Sequence, residues 1–377
     1  EISACLVGSE MCIRDRYYKA DAGVVISASH NPCEYNGIKF FNSDGYKLSD
    51  GIENEIESYI LGEKAIEELP THGKVGYVSA NHNAVEDYVA FAVSTIDCRL
   101  DGMKIAVDCA NGASYETAFK ALNKLGANVE AIHNTPDGVN INHMCGSTHM
   151  ESLQAYVTSI GADIGIAFDG DADRMLAVDE NGKLIDGDQI MAACAKFMRD
   201  NGTLKQNTLV ATVMSNLGLF MAGEKIGINI LRTKVGDRYV LEEMLAKGYN
   251  IGGEQSGHII FLDHNTTGDG LVSALQFLSV LKKTGMKASE AASIVTVMPQ
   301  VLRNAVVKLE NKNSYMENEE IAAACKALED EFAGEGRVLI RPSGTEPLVR
   351  VMIEGKDEEY ITKKAEELAE LIEKILG

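Results

Sequence analysis

The chain has 377 residues, of which 45% are hydrophobic and 24% charged, so it is long enough for two to four globular domains. Its formal net charge of -21 argues against nucleic acid or an anionic membrane as a partner, because both select a basic surface. No apolar stretch is long enough to span a bilayer and no signal peptide is apparent, so we expect a cytoplasmic protein with reduced cysteines. Composition indicates no particular oligomeric state.

The N-terminal part of the chain consists of a segment without periodicity followed by a predicted strand and a polar loop. Residues 1–16 show neither strand nor helix periodicity, and we expect them to be a non-native leader. Ala22–Ile26 (AGVVI) then predicts a buried strand. It is followed by the serine loop (residues 27–32, SASHNP) and by a second apolar run that contains Lys39. Serine, histidine and lysine side chains are therefore concentrated where a strand ends.

Strands and helices alternate along the rest of the chain, which predicts an α/β protein with parallel or mixed sheets covered by helices. Predicted strands lie at 104–108, 129–132, 164–168, 175–178, 208–213 and 229–232, near Val301, and on both sides of 341–347. Predicted helices lie at 114–125 with a Ser114 cap, 189–198, 217–226, 237–247, 268–283, 317–331 and 358–376.

Three aspartates stand at alternate positions in the metal loop (residues 169–174, DGDADR). Asp169, Asp171 and Asp173 offer hard oxygen ligands whose mutual repulsion a cation would relieve, so the loop predicts Mg²⁺ or Ca²⁺ binding. A solvated acidic turn is one alternative. The calcium loop of an EF-hand is another, but Arg174 stands where that loop needs glycine, and strands rather than helices flank it.

A third loop, the sugar loop (residues 253–258, GEQSGH), combines an acid, an amide, a hydroxyl and an imidazole between glycines. Such a dense set of donors and acceptors suits the vicinal hydroxyls of a sugar. A structural polar turn is the alternative reading of the same composition.

The fourth loop, the phosphate loop (residues 341–347, RPSGTEP), lies near the C-terminus. Its Arg341 and the later Arg350 can both bind phosphate oxygens with two parallel hydrogen bonds. The hydroxyls of Ser343 and Thr345 and the backbone N–H groups nearby can add an anion nest. The alternative is a plain turn with surface arginines.

These four loops, in this order, resemble the motifs of the α-D-phosphohexomutase superfamily, and the match covers the chain from Tyr17 onward. The resemblance implies three related α/β domains with mixed sheets and a C-terminal α+β domain. Their expected ranges are 17–76, 77–178, 179–295 and 296–377. The family's G-T-D/S-G-x-R-G stretch is missing before the serine loop, so we expect the first domain to be incomplete.

The resemblance also implies a role for each loop. Ser29 would carry the phosphoryl group and, with the three aspartates, bind one Mg²⁺ per chain. His30 and Lys39 are the candidates for accepting a proton, and Arg174 would stabilise charge. The implied substrate-binding residues are Gly236, Asp237, Glu254, Ser256, His258, Arg341, Ser343, Gly344, Thr345 and Arg350.

The implied substrate is a small phosphosugar. Gln255 and the following FLDHNTTGDG are similar to family members that interconvert glucosamine 6-phosphate and glucosamine 1-phosphate. This reaction passes through a 1,6-bisphosphate, and glucosamine or glucose 1,6-bisphosphate would act as intermediate or activator. The same mechanism on glucose or mannose phosphate, or a sugar-phosphate-binding fragment without turnover, are the alternatives.

Overall fold

The computed structural model describes residues 18–343 and 346–377, which form two compact units. One unit contains the described residues up to Met214 together with Ile226–Ile294, and the other contains Ser215–Lys225 and Val295–Gly377. Our expectations for residues 1–16, Gly344 and Thr345 lie outside the described residues. Within the described ranges, no helix is both long enough and apolar enough to cross a membrane.

The described strands follow the predicted alternation. They are β1 (Ala22–Ile26), β2 (Ile38–Asn42), β3 (Lys104–Asp108), β4 (Asn128–Ile132), β5 (Ile164–Phe168), β6 (Met175–Asp179), β7 (Leu184–Ile185), β8 (Thr208–Thr212), β9 (Asn229–Thr233), β10 (Ile251–Gly253), β11 (Ile259–Phe261), β12 (Gln300–Val306), β13 (Arg337–Pro342) and β14 (Leu348–Glu354).

The described α-helices cover most of the predicted helical segments within a few residues. They are α1 (Asp50–Ile60), α2 (Ala84–Ser94), α3 (Ser114–Lys124), α4 (Glu151–Ile160), α5 (Gly187–Asp200), α6 (Leu217–Ile226), α7 (Asp237–Lys247), α8 (Gly270–Thr284), α9 (Ala288–Ala292), α10 (Glu319–Phe332) and α11 (Glu358–Leu376). The sequence pattern did not predict α1, α2, α4 or α9. Helix α1 repeats isoleucine at four-residue spacing, at Ile52, Ile56 and Ile60, but buries none of its residues.

The first unit contains three sheets, and the two larger ones are mixed, as predicted. The five-stranded sheet has the order β4-β3-β5-β6-β7, with β3 parallel to β4 and β5 and β6 antiparallel to β5. The four-stranded sheet has the order β11-β10-β8-β9, with β8 parallel to both neighbours. Strands β5 and β6 are buried at every position, as strands covered on both faces are.

Two sequence predictions about the first unit are corrected. The run at β1 was predicted to be buried, but it pairs with β2 alone among the described strands and buries only Gly23 and Val25. Ile26 on the same strand is 58% exposed, so the hairpin has a largely open apolar face. Ser114 does not cap α3: it is the first helical residue, and its hydroxyl donates to the Cys109 carbonyl (3.5 Å).

The second unit has the expected α+β composition. Its antiparallel sheet has the order β12-β14-β13, and α10 and α11 pack against it. The core between them includes Val351, Ile353, Ile361 and Ile372, all 1% exposed or less. Helix α11 repeats apolar residues at three- and four-residue spacing, which places one stripe against the sheet.

Candidate active site

The serine loop is held in shape by the hairpin that carries it. The Ser27 N–H donates to the Gly37 carbonyl (2.9 Å), which extends the β1–β2 pairing by one step. Gly37 permits this approach, because a Cβ there would lie 2.6 Å from the Ser27 oxygen. The Ser29 N–H then donates to Ser27 Oγ (2.9 Å), and Ser29 has a positive φ of 55°. This left-handed conformation is unusual for a residue with a side chain.

The metal loop turns sharply between β5 and β6. The Ala172 N–H donates to the Asp169 carbonyl (3.0 Å), and Ala172 has a φ of 57°. Asp169 and Asp171 are each 1% exposed, so the turn carries its carboxylates inward. The Arg174 N–H donates to Asp169 Oδ1 (3.1 Å), which leaves the other Asp169 oxygen directed elsewhere.

The serine loop and the metal loop meet side chain to side chain. The Ser29 hydroxyl donates to Asp169 Oδ2 (3.2 Å), and the Ser27 hydroxyl donates to Asp171 Oδ2 (3.0 Å). Lys39 Nζ, on β2, lies 2.7 Å from the same Asp171 oxygen. Segments more than 130 residues apart in the chain are thus brought to one point.

The three loop aspartates fit a hard divalent cation. Each offers a carboxylate oxygen within 4.8 Å of the others. Asp171 Oδ1 and Asp173 Oδ1 are buried and accept no hydrogen bond within the described part of the chain, which leaves them available as ligands. Burial, followed by the charges of Asp173 and Asp171, raises the pKa of Asp169 well above its usual value. A bound cation would counter all three effects.

A second group of possible ligands does not fit a cation in the same way. Asp108, His133 and Cys145 also lie within 4.8 Å of one another. However, both Asp108 oxygens accept hydrogen bonds from backbone N–H groups, those of Ala110 (2.9 Å) and Gly146 (3.0 Å). Burial, with a smaller effect from Asp108, raises the pKa of the Cys145 thiol to about 12, so the thiol stays protonated. We interpret this group as support for the loops after β3 and β4.

Three basic side chains surround the aspartates. Burial lowers the pKa of Lys39, but the charges of Asp171 and Asp173 outweigh it, so the net shift is upward and Lys39 stays a cation. Burial and the charge of Arg174 lower the pKa of His30, so its ring is neutral near pH 7. The Arg174 guanidinium donates to His30 Nδ1 (3.2 Å). Lys39 therefore suits charge neutralisation better than proton acceptance.

The sugar loop connects β10 and β11 and is fixed by its neighbours. Glu254 Oε1 accepts a hydrogen bond from the Gly236 N–H (3.1 Å). This contact joins the sugar loop to Gly236 and Asp237, which are also predicted to bind the substrate. The Gln255 amide donates to Asp186 Oδ2 (3.0 Å), the carboxylate that caps α5. Ser256 is exposed and free to meet a ligand.

His258 is the buried member of the sugar loop, at 4% exposure. Its Nδ1 lies 3.5 Å from Asp173, and its Nε2 lies 3.6 Å from Asp237 and accepts from the Gly268 N–H (3.2 Å). In the neutral form of the ring, the Gly268 contact places the proton on Nδ1, towards the metal loop. Asp237 in turn pairs with Lys47 (2.6 Å), so the sugar loop and the metal loop are joined through one imidazole. Sugar binding by His258 stays a prediction.

In the second unit, the phosphate loop joins β13 to β14. Arg341 and Arg350 are direct partners in the antiparallel register, so their side chains share one face of the sheet. Burial and the charge of Arg350 lower the pKa of Arg341. Ser343 is buried, and its hydroxyl donates to Glu346 (3.3 Å), which also accepts from Arg350 (3.3 Å). Two adjacent guanidinium groups form a site suited to an anion.

Two residues at the serine loop, Asn142 and Ser27, make contacts that the sequence did not predict. The Asn142 amide donates to the Ser29 carbonyl (2.9 Å) and to the Asn31 carbonyl (2.8 Å). No local pattern marks Asn142, which is 113 residues from Ser29. Ser27, within the serine loop, contacts the metal loop directly through its hydroxyl.

Four family models match consecutive parts of the chain. Three are described as the alpha/beta/alpha domains I, II and III of phosphoglucomutase/phosphomannomutase, and they match residues 10–67, 85–182 and 186–298. The fourth is described as the phosphoglucomutase/phosphomannomutase C-terminal domain and matches residues 305–371. The matches follow the order of the four described sheets.

Two curated relatives are similar over nearly the whole chain. The phosphoglucosamine mutase of Ruminiclostridium cellulolyticum is 62% identical over 358 residues, which cover 95% of this chain and 80% of the relative. That of Acetivibrio thermocellus is 61% identical over 362 residues, covering 96% and 81%. A solved structure described as Aspergillus fumigatus N-acetylphosphoglucosamine mutase with GlcNAc-6P and magnesium has a similar fold. Its TM-score is 0.71 at 17% identity, covering 98% of this chain and 91% of that one.

Proposed function

Because the chain belongs to the phosphoglucomutase/phosphomannomutase family, we propose that it is an isomerase that interconverts glucosamine 6-phosphate and glucosamine 1-phosphate through phosphorylated Ser29. One observation carries the proposal: the Ser29 hydroxyl is directed at Asp169, and Lys39 pairs with Asp171 beside it. A phosphoryl group on Ser29 would thus face carboxylate oxygens that can hold a cation. It would also face the positive charge of Lys39.

The proposed reaction has two half-reactions. In the first, O1 of glucosamine 6-phosphate attacks the phosphorus on Ser29, the P–O bond to Ser29 breaks, and a 1,6-bisphosphate forms. In the second, Ser29 Oγ takes the 6-phosphoryl group from the turned intermediate and leaves glucosamine 1-phosphate. The proton lost by each attacking hydroxyl ends on the oxygen that leaves, so atoms and charge balance over the cycle.

The residues around Ser29 divide the chemical tasks. His30 is neutral near pH 7 and is our candidate for carrying the proton, once it exchanges its Arg174 hydrogen bond for the hydroxyl. Lys39 and Arg174 remain cationic and neutralise charge on the phosphoryl oxygens. The hairpin holds Ser29 in place, so little reorganisation is needed before transfer.

Mg²⁺ is the cation we assign to Ser29, Asp169, Asp171 and Asp173, where it would neutralise charge on the phosphoryl group in transit. The donor set supports this choice, since it consists of hard oxygens alone, including two buried oxygens without hydrogen-bond donors among the described residues. The Aspergillus relative, described with magnesium, is consistent with it.

The remaining loops would hold the sugar and its non-reacting phosphate. The exposed Ser256 hydroxyl would donate to or accept from sugar hydroxyls, and the Glu254 carboxylate would accept hydrogen bonds from them, with Gly236 and Asp237 beside them. In the second unit, the phosphate would lie against the two arginines of the antiparallel pair, with the predicted contacts of Ser343, Gly344 and Thr345. Repulsion between the paired guanidinium groups would be relieved by that anion.

The test of the phosphoserine is a mass measurement. After incubation with glucose 1,6-bisphosphate, the Ser29 peptide of the wild-type protein should gain one phosphoryl group, and Ser29→Ala should gain none and lose mutase turnover. Ser94→Ala is the matched control, because the Ser94 hydroxyl donates within its own helix, to the Phe91 carbonyl (2.7 Å). Phosphorylation elsewhere, or turnover by Ser29→Ala, would remove Ser29 as the carrier.

The substrate assignment has a separate test. The two relatives described as phosphoglucosamine mutases support glucosamine phosphate as the preferred substrate. We expect the highest kcat/KM on glucosamine 6-phosphate when glucosamine, glucose and mannose 6-phosphates are compared. A higher value on either of the others would change the substrate and leave the phosphoserine mechanism intact.

We place the reaction in the cytoplasm. The described cysteines of the chain are free thiols, which suits a reducing compartment. The net charge of -21 means that the anionic substrate depends on local cations such as Lys39 and the Arg341–Arg350 pair.

A further inference from the structure

Asn142 lies in the connection between β4 and α4 and contacts the serine loop from outside the hairpin. Its side-chain amide donates one hydrogen bond to the Ser29 carbonyl (2.9 Å) and one to the Asn31 carbonyl (2.8 Å). Both donors of the amide are therefore used on the serine loop. The residue is 6% exposed, so these bonds are shielded from water.

The position of Asn142 is itself anchored. Its own N–H donates to the Ala110 carbonyl (2.9 Å) in the turn that follows β3, and Ala110 is fully buried. The Asn142 backbone is thus attached to a buried turn at the end of an interior strand of the five-stranded sheet. A rigid support of this kind can transmit a fixed position to the serine loop.

One local adaptation and one local cost accompany this arrangement. Asn142 has a φ of 58°, in the left-handed region that asparagine enters more readily than most residues with a side chain. Its Oδ1 is buried and accepts no hydrogen bond within the described residues. A buried, unpartnered acceptor is unfavourable, so the amide orientation is set by its two donor contacts and not by the needs of its own oxygen.

Gly170 of the metal loop also packs closely against the serine loop and Asn142. A Cβ at Gly170 would lie 2.5 Å from Asn142 Nδ2 and 2.7 Å from the Ser29 carbonyl oxygen, so glycine allows all three groups to meet. The same Ser29 directs its hydroxyl to Asp169, next to Gly170 in sequence. Holding the Ser29 carbonyl therefore fixes the backbone from which its hydroxyl reaches Asp169.

We propose that Asn142 is a positioning residue for phosphoryl transfer: its two hydrogen bonds clamp the serine loop so that Ser29 Oγ is held towards the metal loop. The inference rests on the proposed function. Asn142 touches the backbone of Ser29 and not the reacting oxygen, so it acts through Ser29. Its effect should fall on the rate of transfer rather than on binding of the sugar phosphate.

Two variants separate the effect of the Asn142 side-chain amide from the effect of its left-handed backbone conformation. Asn142→Asp keeps the shape but replaces the donors with oxygens that repel the two carbonyls. Asn142→Gly removes the amide and suits the positive φ, so it preserves the backbone conformation and protects against failure to fold. Asn123→Asp is the charge-matched control, because the Asn123 side chain is exposed and donates within its own helix, to the Phe119 carbonyl (2.8 Å).

The first measurement is amide hydrogen exchange in the serine loop. Loss of two hydrogen bonds should speed exchange of residues 27–31 about tenfold or more in both variants, with β5 unchanged. The second is single-turnover phosphorylation of Ser29 by glucose 1,6-bisphosphate. Its rate should fall about tenfold or more, while the concentration for half-maximal rate changes by less than about twofold. The control should match the wild type in both.

The outcomes are distinguishable. Wild-type exchange in both variants would show that the clamp does not exist. Faster exchange with a wild-type transfer rate would show that the clamp does not position Ser29. If even the wild-type protein takes no phosphoryl group, the proposed function fails and the positioning role fails with it, while the exchange data still decide whether Asn142 clamps the loop.

Discussion

Lys39 Nζ lies 2.7 Å from Asp171 Oδ2 and 3.8 Å from Asp173 Oδ2, so one side chain of the β1–β2 hairpin neutralises two carboxylates of the metal loop. The Asp171 side chain is 1% exposed and that of Lys39 is 29% exposed, so solvent screens the contact only partly. The same lysine would therefore oppose a divalent cation on these aspartates and assist a phosphoryl group placed beside them.

Removal of this lysine should separate metal binding from transfer. In Lys39→Met we expect Mg²⁺ to bind about tenfold more tightly, because a nearby positive charge is lost, while kcat falls at least about tenfold. Lys39→Arg keeps the positive charge and should leave the Mg²⁺ affinity unchanged. Calorimetric Mg²⁺ titration and the mutase assay check the two effects, and weaker Mg²⁺ binding by Lys39→Met would contradict this electrostatic account.

Neutralising a metal-loop carboxylate should weaken Mg²⁺ binding, whereas loss of Lys39 should strengthen it. Asp171→Asn or Asp173→Asn removes one charge from the ligand set, so the Mg²⁺ concentration for half-maximal activity should rise about tenfold or more. Asp101→Asn is the control, since Asp101 is exposed and pairs with Arg99. A metal titration of either variant that overlays the wild-type curve would exclude the three aspartates as the cation site.

The paired arginines of the second unit should respond to inorganic phosphate. Phosphate should raise the Tm of the wild-type protein, because the anion relieves repulsion between Arg341 and Arg350. Arg341→Ala should lose most of that increase without lowering the Tm measured in the absence of phosphate. Arg303→Ala, on β12 and paired with Glu366, is the control and should keep the response. An equal response in Arg341→Ala would argue against phosphate binding at this pair.

The left-handed conformation of Ala172 predicts a strict order of substitutions. Ala172→Gly should fold and turn over normally, since glycine accepts a φ of 57° and the loss of one buried methyl offsets the relief of strain. Ala172→Val should lower the free energy of unfolding by about 2 kcal/mol or more, because a β-branched residue is unfavourable there. Urea unfolding compares the three proteins; equal stability of the valine variant would show that the turn adapts.

Asp269 predicts a pH dependence of stability. It is 2% exposed, and burial raises its pKa to about 6 despite hydrogen bonds from Val272, Tyr88 and Asn265. Because its pKa is higher in the folded state, stability is lost as pH rises through 6. From pH 7 to pH 5 the wild-type protein should gain about 1 kcal/mol relative to Asp269→Asn. Unfolding curves at both pH values measure this, and a difference that is constant or of opposite sign would contradict it.

Local sequence determined the elements and the chemistry of each loop. The strand 164–168, the helices 217–226 and 237–247 and the terminal helix 358–376 were predicted at the bounds that the structure gives. Their apolar periodicity is a property of adjacent residues and needs no knowledge of distant contacts. The composition of the serine, metal, sugar and phosphate loops likewise indicated which ligands each could bind.

Tertiary structure decided which side chains contact one another, and which are occupied by other parts of the protein instead of being available to a ligand. The contact of Asn142 with Ser29, the burial of His258 between Asp173 and Asp237, and the use of Gln255 to hold Asp186 leave no signal in local composition. Each joins segments that are distant in the chain, and the left-handed residues beside them depend on contacts that form when the sheets pack together. The sequence alone therefore determined the parts of the site, and packing determined their positions, because side-chain proximity arises from long-range contacts.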